Sequence, residues 1–471
     1  MLIGRKEEVM ALTDAYKSDR SEFIAIYGRR RIGKTFLVRE TFDGKFSFSY
    51  SGIYNVSTKA QLQNFHMVLK QHGATAKKTP LNWIEAFGQL SDYLNGLPKG
   101  KKIVFIDELP WMDGPKSSFL PAFENFWNGW ASARKDILLI ICGSATSWVV
   151  KKIFHNKGGL HNRLSDKIYL RPFTLSECEE YSKSQRLNMP RKVLVEAYMI
   201  LGGVPYYWSL LKRGQSLASN INALFFVREA KLKDEFKELY SSLFKNPEPY
   251  MAIITVLGSK KVGMTREEII SETSLPDTGR IKIYLEELES SGFIRRYNAI
   301  GSKTKNALFQ LIDNFTLFHF RFLSKKALYD EDYWSKIQGA SKYNNWSGHA
   351  FERVCLQHTH LIKRALGIQG VLTSECSWRG LPSEGQPGAE IDLLIDRNDK
   401  AINIIEIKFT KGRFTISKKY LETLENKRTR LQNSLKAHKS IFLTMLTFEG
   451  LTENEYSYGI DTNFTSDILF Q

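Results

Sequence analysis

Residues Gly28-Arg29-Arg30-Arg31-Ile32-Gly33-Lys34-Thr35 match the pattern G-x-x-x-x-G-K-[ST] at every fixed position. Such a loop binds phosphate. Gly28 and Gly33 let the backbone turn tightly enough for its N–H groups to face an anion, and the helix that follows adds the positive end of its dipole. Lys34 can reach the β- and γ-phosphates of a nucleotide, and the Thr35 hydroxyl can bind Mg2+. A second set of residues stands where such a loop needs it. The apolar run Ile103-Val-Phe-Ile106 ends in Asp107-Glu108. A carboxylate at a strand end can hold Mg2+ and its neighbour can polarise water, so Asp107 is assigned to the metal and Glu108 to the general base. A solvated acidic turn before Leu109-Pro110 is the alternative. Ser144 follows the apolar run Ile137–Cys142, where it can sense the γ-phosphate, position water, or cap a helix starting near Thr146. Arg163 can serve as a finger to a neighbouring copy's nucleotide, or it can be a surface residue.

A separate constellation lies near the C-terminus. Glu406 and Lys408 are two apart on a predicted strand, Ala401 to Phe409, and therefore share a face. Asp392 lies on the partner strand of a predicted hairpin, Gly388 to Ile395, and can point the same way. Two carboxylates and a lysine suit a divalent cation that activates water against a phosphodiester. Asp392 and Glu406 would be the metal ligands, and Lys408 would orient or deprotonate the water. An exposed Glu-x-Lys with no such role is the alternative. Lys411, Arg413, Lys418 and Lys419 can contact a phosphate backbone or cover a solvated face.

The elements that must position these residues are readable too. Glu22–Tyr27 reads as a buried strand entering the loop, and Thr35–Thr41 as the helix leaving it. Thr174 to Glu177 and Thr265 to Glu268 have the capping-box pattern. Helical runs at 250–257, 265–270 and 277–288, then a hairpin at 293–297 and 307–312, suggest a winged helix. Arg280, Lys282, Lys303 and Lys305 would be its DNA contacts, although the same fold also serves as a protein spacer. A helix from Trp346 to about Leu366 carries His349 and Glu352.

The order Ile3-Gly-Arg-Lys-Glu-Glu8, GRRRIGKT, IVFIDELPWM, CGSATSWV and Gly202-Gly-Val-Pro-Tyr-Tyr207 resembles the prokaryotic P-loop ATPases of the AAA+-like group, close to the signalling NTPases. The resemblance implies ATP and Mg2+ as ligands and a helical lid after the sheet, with Gly202 to Pro205 near the nucleotide. The set Asp392, Glu406 and Lys408 is similar to the PD-(D/E)XK nuclease core, with Ile391-Asp392 in place of Pro-Asp. That similarity implies Glu352 as an additional helix-borne acid at the same site. The fold class expected is α/β: a P-loop NTPase parallel sheet with a helical lid, then a winged helix, then an α/β restriction-endonuclease-like domain. The expected divisions are 1–172, 173–245, 246–315, 316–345 and 346–471.

Composition bounds the rest. The 471 residues are 42% hydrophobic and 13% aromatic, which excludes a disordered chain. No apolar run approaches the roughly 18 residues of a membrane span, and the four cysteines fit a reducing cytoplasm. The net charge of +17 falls as +10 in 1–170, +5 in 171–340 and +2 in 341–471. The excess therefore favours a polyanion at the N-terminal part and says nothing for a C-terminal nuclease. Two readings stay open: an ATP hydrolase whose C-terminal domain acts on DNA or RNA, or a nucleotide-dependent switch that binds DNA or a protein partner with that domain inactive. A homo-oligomer is open in both. A small-molecule kinase has little support, because Asp107-Glu108 suits attack by water.

Overall fold

The computed structural model describes residues 2–471 except 145, 155–157, 161, 245, 301–306, 325–329 and 381–387, with the backbone alone at 146, 147 and 392. The chain forms two compact units, Met1–Pro172 and Phe173–Gln471.

The first unit is built on five parallel strands: β1 (Glu22–Tyr27), β2 (Phe48–Ser51), β3 (Lys102–Asp107), β4 (Ile137–Gly143) and β5 (Asp166–Tyr169), in the spatial order β2-β3-β4-β1-β5. The strand that enters the glycine loop and the strand that ends in Asp107 are thus separated by β4 alone. Alternation along the strands assigns each face. Phe23, Ala25, Val104, Ile106, Leu139 and Ile141 pack under the helices Thr58–Gln71, Trp83–Asn95 and Phe119–Phe126. Ile24, Ile26, Ile103, Phe105, Leu138 and Ile140 pack on the other side against Leu12, Leu37 and Val38. Burial on both faces is why these strands read as continuous apolar runs rather than alternating ones.

The second unit begins with helices. Thr174 and Glu177 form a reciprocal capping box, as do Thr265 and Glu268. Gly203 sits against the backbone of Phe173: an added Cβ would lie 1.9 Å from the Phe173 carbonyl oxygen, which is hydrogen-bonded by the Tyr198 hydroxyl at 2.9 Å. Gly203→Ala must displace this junction. We expect a loss of about 1–3 kcal/mol in unfolding free energy, checked by chemical denaturation.

Further along come the helices Glu248–Ser259, Arg266–Thr273 and Gly279–Ser290, then β6 (Ile294–Ala299) and β7 (Leu308–Leu311) as an antiparallel pair. The remaining strands are β8 (Thr373–Gly380), β9 (Ala389–Arg397), β10 (Ala401–Lys408), β11 (Ser440–Thr447) and β12 (Thr462–Thr465). All seven form one sheet, in the order β12-β11-β10-β9-β8-β6-β7. The join is a short parallel pairing of Asn298 with Cys376 and Ala299 with Ser377. β8 has no counterpart in the sequence reading. The predicted single helix from Trp346 is corrected to two, Ser341–Gln357 and Thr359–Ala365. The break falls at His358, whose buried Nδ1 lies 2.8 Å from the Val354 carbonyl oxygen. Arg280 and Lys282 are exposed on the helix Gly279–Ser290, with Lys282 near Glu286 at 3.8 Å; Lys303 and Lys305 lie outside the described residues.

Candidate functional site

Gly28 through Thr35 bridge β1 and the helix Lys34–Thr41. Gly28 has φ +140°, and a Cβ there would lie 2.4 Å from the Leu170 carbonyl oxygen, so only glycine fits. Ile32 is buried and anchors the loop to the sheet's core. Arg29 is buried as well, while Arg30 and Arg31 are half-buried. The Lys34 ammonium, also buried, donates to the carbonyls of Gly28 and Arg29, both at 3.0 Å. It thereby closes the loop on itself. Burial lowers the lysine's proton affinity, against the opposing pull of Glu108, Cys142 and Asp107.

The two carboxylates at the end of β3 divide their tasks. The Thr35 hydroxyl donates to Asp107 Oδ2 at 2.6 Å, and Asp107 Oδ1 accepts the Glu108 N–H at 3.0 Å. Hydroxyl and carboxylate oxygens side by side are the donor set that Mg2+ prefers, so these residues fit that ion. Glu108 has φ 46° and ψ 47°, a left-handed backbone conformation uncommon outside glycine that turns the chain at the strand end. Its Oε2 accepts both the N–H and the hydroxyl of Ser144, at 3.1 and 2.8 Å. Burial raises the Glu108 carboxyl above the usual range, Lys34 opposes this, and Asp107 adds to it. Ser144 is itself buried, at the end of β4 beside the loop, since Tyr27 pairs with Gly143.

Arg163 stands apart. It is exposed and lies two residues before Ser165, whose hydroxyl and N–H bind the backbone of Phe23 at the far end of β1 from the loop. Five residues of strand, on the order of 17 Å, separate Phe23 from Gly28. Within one chain, therefore, Arg163 does not join the phosphate loop.

The C-terminal constellation occupies a cleft of about 410 Å³ in the second unit, lined among others by Glu352, Glu390, Glu406, Lys408 and Lys427. Glu352 comes from the helix Ser341–Gln357, and Glu406 and Lys408 from β10. Asp392 belongs to β9, but its side chain lies outside the described residues; its neighbour Leu393 pairs with Ile405, which puts the Asp392 backbone at the level of Glu406. Both oxygens of Glu406 are engaged: Oε1 by the Tyr420 hydroxyl at 2.8 Å and by Lys408 at 3.1 Å, Oε2 by Lys427 at 3.0 Å. Burial alone would raise this carboxyl, yet Lys427 and Lys408 bring it below its ordinary value. Glu352 follows the same balance. Burial opposes ionisation, but nearby His349 and the charges of Lys261 and Arg353 bring it to about 2. Lys261 sits 3.1 Å from Glu352 Oε2, whereas Glu352 Oε1 is buried with no hydrogen-bond partner. His349 lines the cleft at 3.9 Å from the same carboxylate. Among the described residues no group of three or more acidic, His or Cys side chains is placed to hold a metal ion. Lys411, Arg413, Lys418 and Lys419 are exposed.

Sequence reasoning missed Tyr420, Lys427, Glu390 and Lys261. Tyr420 and Lys427 are seven residues apart on the helix Lys418–Ser434, two turns on one face, so spacing held a signal. Glu390 lies two residues before Asp392 on β9. Lys261 is 91 residues from its partner and has no local signature.

A parallel sheet in which one strand feeds a glycine-lysine-threonine loop, and the strand beyond its neighbour ends in an acidic pair, defines a P-loop ATPase. Residues 2–211 match the model of an ATPase domain found predominantly in Archaea, which makes this part of the chain a P-loop ATPase domain. Two proteins of Methanocaldococcus jannaschii are similar to it. The uncharacterized protein MJECL04 is 25% identical over 420 residues, spanning 87% of this chain and 88% of that protein. The uncharacterized ATP-binding protein MJ0423 is 38% identical over 45 residues, spanning 10% of this chain and 76% of that protein. Among solved structures, the Walker-type ATPase PABY2304 of Pyrococcus abyssi is similar at a TM-score of 0.48 and 16% identity, over 68% of this chain and 96% of that one. No helix among the described residues is long and apolar enough to cross a membrane.

Proposed function

We propose that the chain is a Mg2+-dependent ATP hydrolase whose nucleotide state controls a C-terminal domain that binds or cuts nucleic acid. The observation that carries the first half is the buried Glu108 carboxylate, held by Ser144 beside the loop that Lys34 closes. The loop N–H groups and the Lys34 ammonium bind the β- and γ-phosphates, with Lys34 exchanging its two carbonyl partners for phosphate oxygens. Thr35 and Asp107 hold the Mg2+, which when bound neutralises charge on the phosphates. Glu108 takes the proton from the attacking water, and its raised proton affinity suits a base working nearer neutral pH. Ser144 sets the direction of that carboxylate. Arg163, exposed away from its own loop, acts on the nucleotide of a second copy.

For the second unit, residues 246–315 are a winged helix and 346–471 a PD-(D/E)XK-like domain in this reading. Asp392 and Glu406 would hold a divalent cation, with Glu352 as an additional acid at the same site, and Lys408 would orient the water. The convergence of Glu352, Glu406 and Lys408 on one cleft supports it. Wild-type protein should cleave labelled DNA or RNA in Mg2+ or Mn2+ with ATP, and Lys408→Ala should lose about 100-fold or more of that rate. Absence of cleavage of either polymer under all these conditions refutes the nuclease reading.

A specific observation favours a second reading, a nucleotide-dependent switch whose C-terminal site binds without cutting. Glu406 is held by two ammonium groups and a phenol, leaving neither oxygen idle. Under this reading the same assay gives binding that depends on Lys408 and no cleavage products.

A further inference from the structure

Beside the acidic cleft lies a second cavity of about 430 Å³ in the same unit, with the opposite chemistry. Lys260, Lys261, Arg321 and Arg353 line it, and no Asp or Glu among the described residues does. The two cavities share Lys261, Asn345 and His349, so they adjoin along one wall. The cations come from three places: the turn after the helix Glu248–Ser259, the segment His319–Leu323 and the helix Ser341–Gln357. Lys260 and Arg321 are exposed at its rim, and among the described residues neither forms an ion pair. Lys261 pairs with Glu352 across the shared wall at 3.1 Å, and the cationic charge in excess of that carboxylate attracts an anion.

The cavity also carries one group of another kind. Asn314 is buried on its wall, and its amide nitrogen donates to the Tyr198 carbonyl at 3.0 Å and to Gln357 Oε1 at 3.3 Å. Those two bonds fix the amide's orientation and leave Oδ1 buried with no hydrogen-bond partner. A buried acceptor of this kind is costly unless something donates to it. Cations for a phosphate, with one acceptor for a hydroxyl or amino group, match the two chemistries of a nucleotide unit.

We propose that this chamber binds a phosphate-bearing nucleotide, with Lys260, Arg321, Lys261 and Arg353 taking the phosphate and Asn314 Oδ1 accepting from the sugar or base. The nucleotide is either one unit of a strand whose next phosphate enters the acidic cleft or a free mononucleotide. The inference does not depend on cleavage, because it concerns binding alone, so failure of the nuclease reading leaves it standing.

Equilibrium binding of the full chain to a fluorescent single-stranded oligonucleotide, without divalent cation and over a range of salt, tests it. Lys260→Ala/Arg321→Ala should weaken binding on the order of 10- to 100-fold at low salt and flatten the log–log salt slope by about 1.4, since each single-strand phosphate contact contributes about 0.7. The pair Lys260→Arg/Arg321→Lys keeps the charge and should bind as wild type does, which separates lost charge from lost folding. Competition by AMP at submillimolar concentration assigns the chamber to a free nucleotide, and its absence assigns it to a strand. The proposal is overturned if wild type binds neither probe, or if the alanine pair retains wild-type affinity and slope.

Discussion

Lys34→Ala is expected to abolish measurable ATP turnover. Two effects add. The variant lacks the cation that meets the β- and γ-phosphates, and loss of one such preorganised charge in a water-poor site costs about 100- to 1,000-fold in rate. It also lacks the donor that ties the Gly28 and Arg29 carbonyls together, so the loop is less well formed before the nucleotide arrives. Nucleotide affinity should therefore fall together with kcat. Calorimetric titration with ATP and a phosphate-release assay measure the two separately. Turnover within tenfold of wild type would show that this loop is not the hydrolytic site.

Glu108→Gln is expected to separate binding from chemistry. Glutamine is nearly isosteric and can still accept from Ser144, so the strand end and its left-handed turn are preserved. What it cannot do is take a proton. Turnover should drop by about 100- to 10,000-fold while ATP affinity stays within a few-fold of wild type. The pH profile gives an independent readout. Burial raises the proton affinity of Glu108, so the group stays protonated at a pH where an ordinary glutamate of pKa 4.5 is ionised. Wild-type turnover should rise with pH through a midpoint above that value, and the residual activity of the variant should lack this limb. Retention of the same acid limb in the variant would assign the base elsewhere.

How much of this was legible beforehand depended on sequence separation. The phosphate loop is eight contiguous residues, so its pattern carries its own geometry. Asp107 and Glu108 were readable because a buried parallel strand announces itself as an apolar run and its end is a defined place. Ser144 was legible as a residue of the crevice, but its contact with Glu108 was not, because it spans 36 residues and two strands. In the second unit Glu352, Glu406 and Lys408 were readable as a set, whereas their holders Lys261, Lys427 and Tyr420 come from other elements. Arg163 is a different case: parallel pairing of β5 with β1 places it away from its own loop, and a role toward a second copy has no signature within one chain.

The pairing of β6 with β8 has a consequence for how the second unit comes apart. Asn298 and Ala299 stitch a hairpin that precedes residue 312 into a sheet that continues to Thr465. A cut near residue 345 would strip β8 of this neighbour and leave two open strand edges, each a template for association with other chains. The hairpin and the C-terminal strands should therefore melt in a single transition rather than as beads on a string. A gene fragment that ends between them should give inclusion bodies rather than a soluble module.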